Sequence, residues 1–405
     1  MSSLIAAIEI GTTRTVLAVG ELVQTGTGRR LHVLGTAETP STGVRKSLIT
    51  DVSQATHAVE SVLKKIEQTA STNVNVAQLV VNGPQIQSSL STGLCRPAGK
   101  NITENDVFAV REKAEAVAQT DVDDTQREIL HLFGIDFTVN DQEGIVNPVN
   151  MSGQRLSHRV LAVHASKDCV TNSCTAAGDA KLEITAPVFS GYAAALSTIT
   201  QREMHEGVLV LDLGGGTTSY TAYCEGNYAD AGVVGVGGDH VTNDIAMAFN
   251  CSNGQAESIK CAYGSATVDP AQADKRVPIP ATMAGAEERT IAMRSLNTVI
   301  NVRMTELFKI VLSRLEESGL LHRLGAGVVL TGGGAYLRNV APLASRVLGL
   351  NVRIGIPANV DGLEEVHNPA SYATIAGALL CGAENEQNEH SAIDRIHGIL
   401  KRIFS

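Results

Sequence analysis

The sequence has no tryptophan, and aromatic residues make up only 3% of it. That leaves little material for the stacking platforms on which nucleic-acid bases are held. Basic charge is also short: 32 Lys and Arg stand against 42 Asp and Glu, a net charge of −10. A nucleic-acid partner is therefore not expected. No run of about 18 uncharged apolar residues occurs, which excludes a helical membrane span. The chain enters Leu4-Ile5-Ala6 without a basic, cleavable leader, so no signal peptide is expected. Its 7 cysteines form no CxxC pair and have no metal-ligand spacing. They read as reduced, buried thiols in a cytosolic setting. The pattern GxxxxGK[ST] is missing too, which rules out a Walker-type phosphate loop.

What is present is a globular composition, 405 residues with 43% apolar and 18% charged, enough for two or more domains. The chain is organised around Val208-Leu209-Val210-Leu211-Asp212-Leu213-Gly214-Gly215-Gly216-Thr217-Thr218. Four consecutive apolar residues predict a strand buried on both faces. The glycines let backbone N–H groups approach an anion closely, and Asp212 at the strand end is placed for Mg²⁺. Taken alone, the stretch suggests such a site, the alternative being a Gly-rich hairpin on a buried strand. A second copy, Ile5-Ala6-Ala7-Ile8-Glu9-Ile10-Gly11-Thr12-Thr13-Arg14, repeats the order of strand, acid, glycine and hydroxyls, which suggests a duplicated core. A third loop, Val329-Leu330-Thr331-Gly332-Gly333-Gly334-Ala335, offers flat backbone to a ring such as adenine. These three loops in this order resemble the signature of the actin, Hsp70 and sugar-kinase ATPase superfamily. The resemblance implies an α/β, actin-like ATPase fold with two related lobes around a nucleotide cleft.

Taken in order, the chain predicts a helix over residues 52–69 and a strand over 76–81. A compact α+β insert follows over 85–165, with Thr103 capping a helix through Ala118 and two short strands at 128–133 and 137–139. The core pattern returns with helices at 166–177 and 190–201 and a strand ending at Ile184-Thr185-Ala186-Pro187. Residues 229–239 read as a loop, and 291–318 as a long helix broken at most once. A helix over 372–381 closes the core, before an acidic linker over 383–390. In the last segment, Ala392, Ile393, Ile396, Ile399, Leu400, Ile403 and Phe404 share an arc of about 140° on a helical wheel. Arg395, Lys401 and Arg402 lie outside that arc. This describes a helix lying in a membrane interface, the alternative being a core helix folded back on the protein.

Further segments resemble the FtsA family of actin-like cell-division proteins. They are Val236-Gly237-Gly238-Asp239-His240-Val241-Thr242-Asn243-Asp244-Ile245-Ala246, Ala256-Glu257-Ser258-Ile259-Lys260 with Tyr263-Gly264, and the third glycine loop. The insert matches at Ile102 to Val107, Arg127 to His131 and Met151 to Leu156. The resemblance implies lobe I at 1–84, 166–204 and 361–382, an FtsA-type insert (subdomain 1C) at 85–165, and lobe II at 205–230 and 302–360 with a subdomain 2B at 231–301. It implies a first phosphate loop of Gly11, Thr12, Thr13 and Arg14, and a second of Asp212, Gly214, Gly215, Gly216, Thr217 and Thr218, with Gly238 beside it. Glu257 and Lys260 would bind ribose, Gly332, Gly333, Gly334 and Ala335 would border adenine, and Glu9 and Asp212 would serve Mg²⁺. ATP, a filament of like subunits, the cytoplasmic membrane surface, the C-terminal tail of the division GTPase FtsZ and later division proteins are the implied partners. The tail would dock around 230–301, where Lys275, Arg276 and Arg289 lie. The protein is expected at the cytoplasmic face of the membrane, at the division site. Lys401 and Arg402, with Ile393, Ile396, Ile399, Leu400, Ile403 and Phe404, would carry the membrane contact.

Two departures stand out. The family's first loop begins with Asp, and here it is Glu9; the segment before Pro187 carries a water-orienting Glu, and here it is Ala186, with Glu183 three residues away. Slow or absent ATP hydrolysis is the consequence. A sugar-kinase-type phosphotransferase and a pilus-assembly relative of the family are the rival readings. The first would need an acidic base in the cleft that the sequence does not place.

Overall fold

The computed structural model describes residues 4–25, 28–123, 126–272, 274–280, 289–363 and 366–384. The expected membrane helix, with Ile393, Ile396, Ile399, Leu400, Lys401, Arg402, Ile403 and Phe404, lies outside the described residues, as does most of the acidic linker before it.

The chain opens with β1 (Leu4–Ile10), β2 (Arg14–Thr25), β3 (Gly28–Pro40), a small hairpin of β4 (Val44–Arg45) and β5 (Leu48–Ile49), α1 (Val52–Ala70) and β6 (Val76–Val81). Asp51 caps α1 by accepting from the Gln54 N–H at 3.0 Å. Ala55, Val59, Val62 and Ile66 then bury one face of it, following the helical repeat. The insert comprises β7 (Gln87–Cys95), α2 (Glu104–Asp123), β8 (Arg127–Val139), β9 (Gln142–Ile145) and β10 (Leu156–Ser166), in the sheet order β7-β10-β8-β9. Thr103 does cap α2, exchanging hydrogen bonds with Asp106. The helix runs beyond the expected end at Ala118. The two short strands expected at 128–133 and 137–139 are one strand, β8. Register shifts against β10 let it bend without ending.

Lobe I resumes with α3 (Lys167–Asp179) and β11 (Glu183–Phe189), followed by α4 (Ser190–Thr198) and α5 (Gln201–Glu206). The single helix expected over 190–201 is thus divided, because Thr200 and Glu203 form a capping box that starts a new one. β11 passes through Pro187 where an end was expected. It is an edge strand, and a register shift between Ile184 and Pro187 accommodates the residue that cannot donate.

Lobe II consists of β12 (Val208–Leu213), β13 (Thr218–Cys224), β14 (Asn227–Val234), α6 (Gly238–Phe249), α7 (Asn253–Tyr263), β15 (Arg276–Ile279), β16 (Arg289–Ala292), α8 (Met293–Glu317), β17 (Gly327–Thr331), α9 (Val340–Leu348) and β18 (Val352–Ile354). Most of the expected loop at 229–239 is β14. Glu225 and Gly226, at φ 56° and 82°, make a tight turn that pairs it with β13 despite its weak strand formers. α8 is unbroken over 25 residues. β19 (Val360–Asp361) rejoins the first sheet beside β3, and α10 (373–384) ends the described chain, so Ala383 and Glu384 are helical and not linker.

The two main sheets have the same plan. Lobe I reads β11-β6-β1-β2-β3, and lobe II reads β18-β17-β12-β13-β14. In each, an antiparallel hairpin sits beside a strand parallel to its first member. Each sheet is covered on both faces. Ile8 and Leu79 face α1 and α3, while Ile5, Ala7 and Val80 face α10. Leu209 and Leu211 face α6 to α9, while Val208 and Val210 face α4. Between the lobes, α4 packs on α10. Their approach leaves no room for a Cβ at Gly377 beside the Ala193 carbonyl, and Ser197 donates to the Ala373 carbonyl at 2.7 Å.

Candidate functional site

The first-strand carboxylates of both lobes end at the same opening. In lobe I the turn after β1 closes with Gly11 N–H donating to the Arg14 carbonyl at 3.1 Å; in lobe II the turn after β12 closes with Gly214 N–H donating to the Thr217 carbonyl at 3.0 Å. The flanking pairs, Ile10 with Thr15 and Leu213 with Thr218, also correspond. The duplication suggested by the sequence is therefore geometric. The turns meet tip to tip: a Cβ at Gly215 would come within 2.5 Å of Thr13 Cγ2.

Two connected chambers lie at this meeting point. The inner one, about 280 Å³, is bounded by Glu9, Gly11, Thr12, Arg14, Asp212, Thr217 and Gly332. The outer one, about 620 Å³, is bounded by Thr218, Gly238, Glu257, Lys260, Gly334 and the apolar Met304 and Leu307. Thr13, Gly214, Gly215, Gly333 and Asn368 border both. Gly11, Gly215 and Gly333, drawn from three distant parts of the chain, thus share one crevice.

The inner chamber is acidic. Burial, then the neighbouring Asp212 carboxylate, push Glu9 up to about 7, with Arg14 acting against them. Burial likewise pushes Asp212 up to about 6, opposed by hydrogen bonds from Thr374 and Ser219 and by the charge of Arg14. Those hydroxyls donate to Asp212 Oδ2 at 3.2 and 3.4 Å. Arg14 borders the chamber but spends its guanidinium elsewhere. It pairs with Glu38, donates to the Ser371 carbonyl and lies 4.8 Å from the centre of the Tyr372 ring.

In the outer chamber, α7 places Glu257 and Lys260 one turn apart, with Lys260 Nζ 2.6 Å from Glu257 Oε2. Burial raises the Glu257 carboxyl, but Lys260 and hydrogen bonds from Lys260, Thr242 and Cys261 outweigh it and hold the group below its usual range. Lys260 also donates to the Gly238 carbonyl and to Thr242 Oγ1, at 3.2 and 2.9 Å. The first amides of α6 are tied to the second loop, Gly238 N–H to Gly214 O and Asp239 N–H to Gly215 O, at 3.0 and 2.8 Å.

Two expected site residues lie away from the chamber walls. Ala335 is buried in the core of lobe II. Gly216 faces the β4–β5 hairpin, and a Cβ there would stand 2.9 Å from Lys46 Cα. Gly332, at φ 79°, has its Cβ position against the end of β12, while Gly333 has open space beside it. Glu183 is exposed at the start of β11, and neither Glu183 nor Ala186 borders a chamber. Ser47, Asn82, Ser371 and Thr374 also border the inner chamber, Asp239, Arg338 and His367 the outer, and Asn368 both, although the sequence gives none of them a site role. For Asn82 a signal existed, the strand-ending Asn82-Gly83-Pro84. Asp239 directly follows Gly237-Gly238, and the others are ordinary polar residues outside any glycine motif.

Comparison with known proteins bears directly on this arrangement. A family model described as "SHS2 domain inserted in FTSA" matches residues 83–164, and one described as "Cell division protein FtsA" matches 209–377. The chain is 30% identical over 399 residues to "Cell division protein FtsA" of Escherichia coli (strain K12), covering 97% of this chain and 93% of that one. It is 30% identical over 385 residues to the protein of the same description from Pseudomonas aeruginosa, covering 95% and 90%. Among solved structures, a "PilM-PilN type IV pilus biogenesis complex" aligns with a TM-score of 0.64 at 16% identity, over 93% of this chain and 98% of that chain. "MreB5 of Spiroplasma citri bound to ADP" aligns with a TM-score of 0.54 at 14% identity, over 96% and 98%. These two show the fold, an actin-like α/β architecture. A duplicated hairpin around a shared cleft, an SHS2-type insert and near-full-length similarity place the chain in the FtsA family of actin-like cell-division proteins.

Proposed function

We propose that this protein binds ATP with Mg²⁺ in the interlobe cleft and hydrolyses it slowly. On this reading it assembles into filaments and tethers the FtsZ ring to the cytoplasmic membrane at the division site, through the amphipathic segment 391–405, and recruits later division proteins. The observation that carries the reading is the convergence of Gly11, Gly215 and Gly333 on one crevice that also holds the carboxylates of Glu9 and Asp212. The phosphates fit the inner chamber and the nucleoside the outer, where Glu257 and Lys260 present polar groups and Met304 and Leu307 an apolar wall. The residues present also fit a divalent cation. Two carboxylates whose burial disfavours charge face each other, and the nearby Arg14 is engaged with Glu38. Glu9 and Asp212 would hold Mg²⁺, directly or through water, and the ion would offset the charge of the phosphates. Thr13 and Gly215 bring the two lobes into contact, so a ligand spanning them favours one closed shape.

Slow turnover follows from the residues before Pro187. Ala186 has no group to orient water, and Glu183 is exposed at the far end of its strand. Membrane attachment by one fifteen-residue helix would be weak, and a filament multiplies it through effective concentration. The FtsZ tail would dock on the part of lobe II around 230–301. Co-sedimentation of the full chain with anionic liposomes and Mg-ATP tests the proposal. The full chain is expected to pellet with liposomes, and a chain ending at residue 390 is expected to stay in the supernatant. Equal behaviour of the two, or phosphate release near about one per second, overturns it.

A further inference from the structure

The β4–β5 hairpin reaches out of lobe I and touches both phosphate turns. Its base is anchored in lobe I, where Thr50 N–H and Asp51 N–H both donate to the Gly43 carbonyl, at 2.8 and 3.1 Å, and Val44 and Ile49 pack on the core. Its tip is a two-residue turn, Lys46-Ser47, closed by the pair Arg45–Leu48, with Val44–Ile49 paired next. Both tip residues are left-handed, at φ 51° and 58°. Such a turn favours Asn-Gly, and a non-glycine residue there is strained. Glycine at 47 would relieve the strain and would lack a hydroxyl.

That hydroxyl sits between the lobes. Ser47 Oγ is 3.1 Å from Thr217 Oγ1 of the lobe II turn and 3.4 Å from Thr12 Oγ1 of the lobe I turn. Ser47 N–H also donates to Thr12 Oγ1 at 2.8 Å. The three hydroxyls border the inner chamber together. Lys46 backbone presses on Gly216, which accounts for glycine at that position.

The order of residues along the cleft says which part of a ligand this trio meets. Glu257, Lys260, Met304 and Leu307 belong to the outer chamber alone, Thr13, Gly214, Gly215 and Gly333 to both, and Ser47, Thr12 and Thr217 to the inner chamber alone. A nucleotide whose nucleoside occupies the outer chamber runs its phosphate chain past the shared glycines. The last phosphate then arrives among the hydroxyls.

We propose that Ser47, at the tip of a hairpin that bridges the two lobes, is a specificity residue for the terminal phosphate of a nucleoside triphosphate. The inference rests on the nucleotide reading above. Hydroxyl donors to a charged phosphate oxygen discriminate triphosphate from diphosphate by roughly tenfold or more.

The test is the affinity of the full chain for Mg-ATP and for Mg-ADP, in wild type, Ser47→Ala and Ser47→Gly. Both variants keep the turn, and the glycine suits its backbone, so both are expected to fold. ATP affinity should fall about tenfold in both variants while ADP affinity stays at the wild-type value. An unchanged preference for ATP over ADP, or an equal loss for both nucleotides, overturns the role of Ser47 and leaves the cleft reading standing. Wild type that binds neither nucleotide overturns both.

Discussion

The hairpin turns of the two lobes are built alike and loaded differently. Each carries a carboxylate one residue before the end of a largely buried strand and closes through one glycine N–H at nearly the same distance. In lobe II the carboxylate is Asp212, whose charge is supported by the hydroxyls of Ser219 and Thr374. In lobe I it is Glu9, one methylene longer, which burial and Asp212 both oppose and only Arg14 favours. The fourth residue differs as well. Arg14 turns away to Glu38 and Tyr372, whereas Thr217 stays buried and meets Ser47. Duplication supplied the scaffold twice, and the surroundings of each copy set how readily its acid carries charge.

Removing the charges one at a time gives the largest effect. Asp212→Asn should weaken Mg-ATP binding by about a hundredfold and Glu9→Gln by only about tenfold, since the better-supported carboxylate is the more fully ionised and charge-assisted contacts are the stronger ones. Titration calorimetry with and without Mg²⁺ measures both. Equal losses would mean that the two lobes contribute alike.

The pH dependence of the nucleotide-free protein sharpens the contrast further. Both acids bind protons more tightly when folded, so their contribution to stability falls as pH rises, from the ordinary carboxylate range through about 6 for Asp212 and about 7 for Glu9. For Glu9, the rise from 4.5 to about 7 corresponds to roughly 3 kcal/mol at most. Glu9→Gln should therefore be more stable than wild type at pH 8 and no more stable at pH 4. Buried His131 and His164, each lowered to about 4, act in the opposite direction in both proteins, so the difference between variant and wild type isolates the carboxylate. Denaturant melts at a series of pH values decide it, and a pH-independent difference would show that Glu9 is not the group responsible.

The smallest change tests why Asp212 differs. Thr374→Val keeps the shape of the side chain and removes the hydroxyl 3.2 Å from Asp212. The Asp212 carboxyl should then titrate at higher pH, closer to Glu9, at a stability cost of about 1 kcal/mol near neutrality. Carboxyl carbon shifts followed by NMR report it directly. No movement would assign the support of Asp212 to Ser219 and Arg14.

Local patterning made several features legible without coordinates. β1 and β12 stand out as apolar runs ending in acid and glycine, α1 by its helical repeat, and α2 by its cap at Thr103. Where expectation and structure part, a neighbour in space is the cause. β14 carries Asn, Asp, Gly and two Ala among its eight residues but is paired by β13, and β8 continues past an apparent break because β10 carries it across the irregularity. Thr200 restarts a helix that composition alone would have continued.

The amino-acid order by itself determined the two acid-glycine corners and their repetition, because a buried strand and a tight turn are set by nearest neighbours along the chain. Only the tertiary structure decided that Thr12, Ser47, Thr217 and Thr374 would share one chamber, and that Glu9 and Asp212 would oppose each other's charge. Those properties come from distances between remote segments and from water excluded where they meet. Neither quantity is written in any single stretch of sequence.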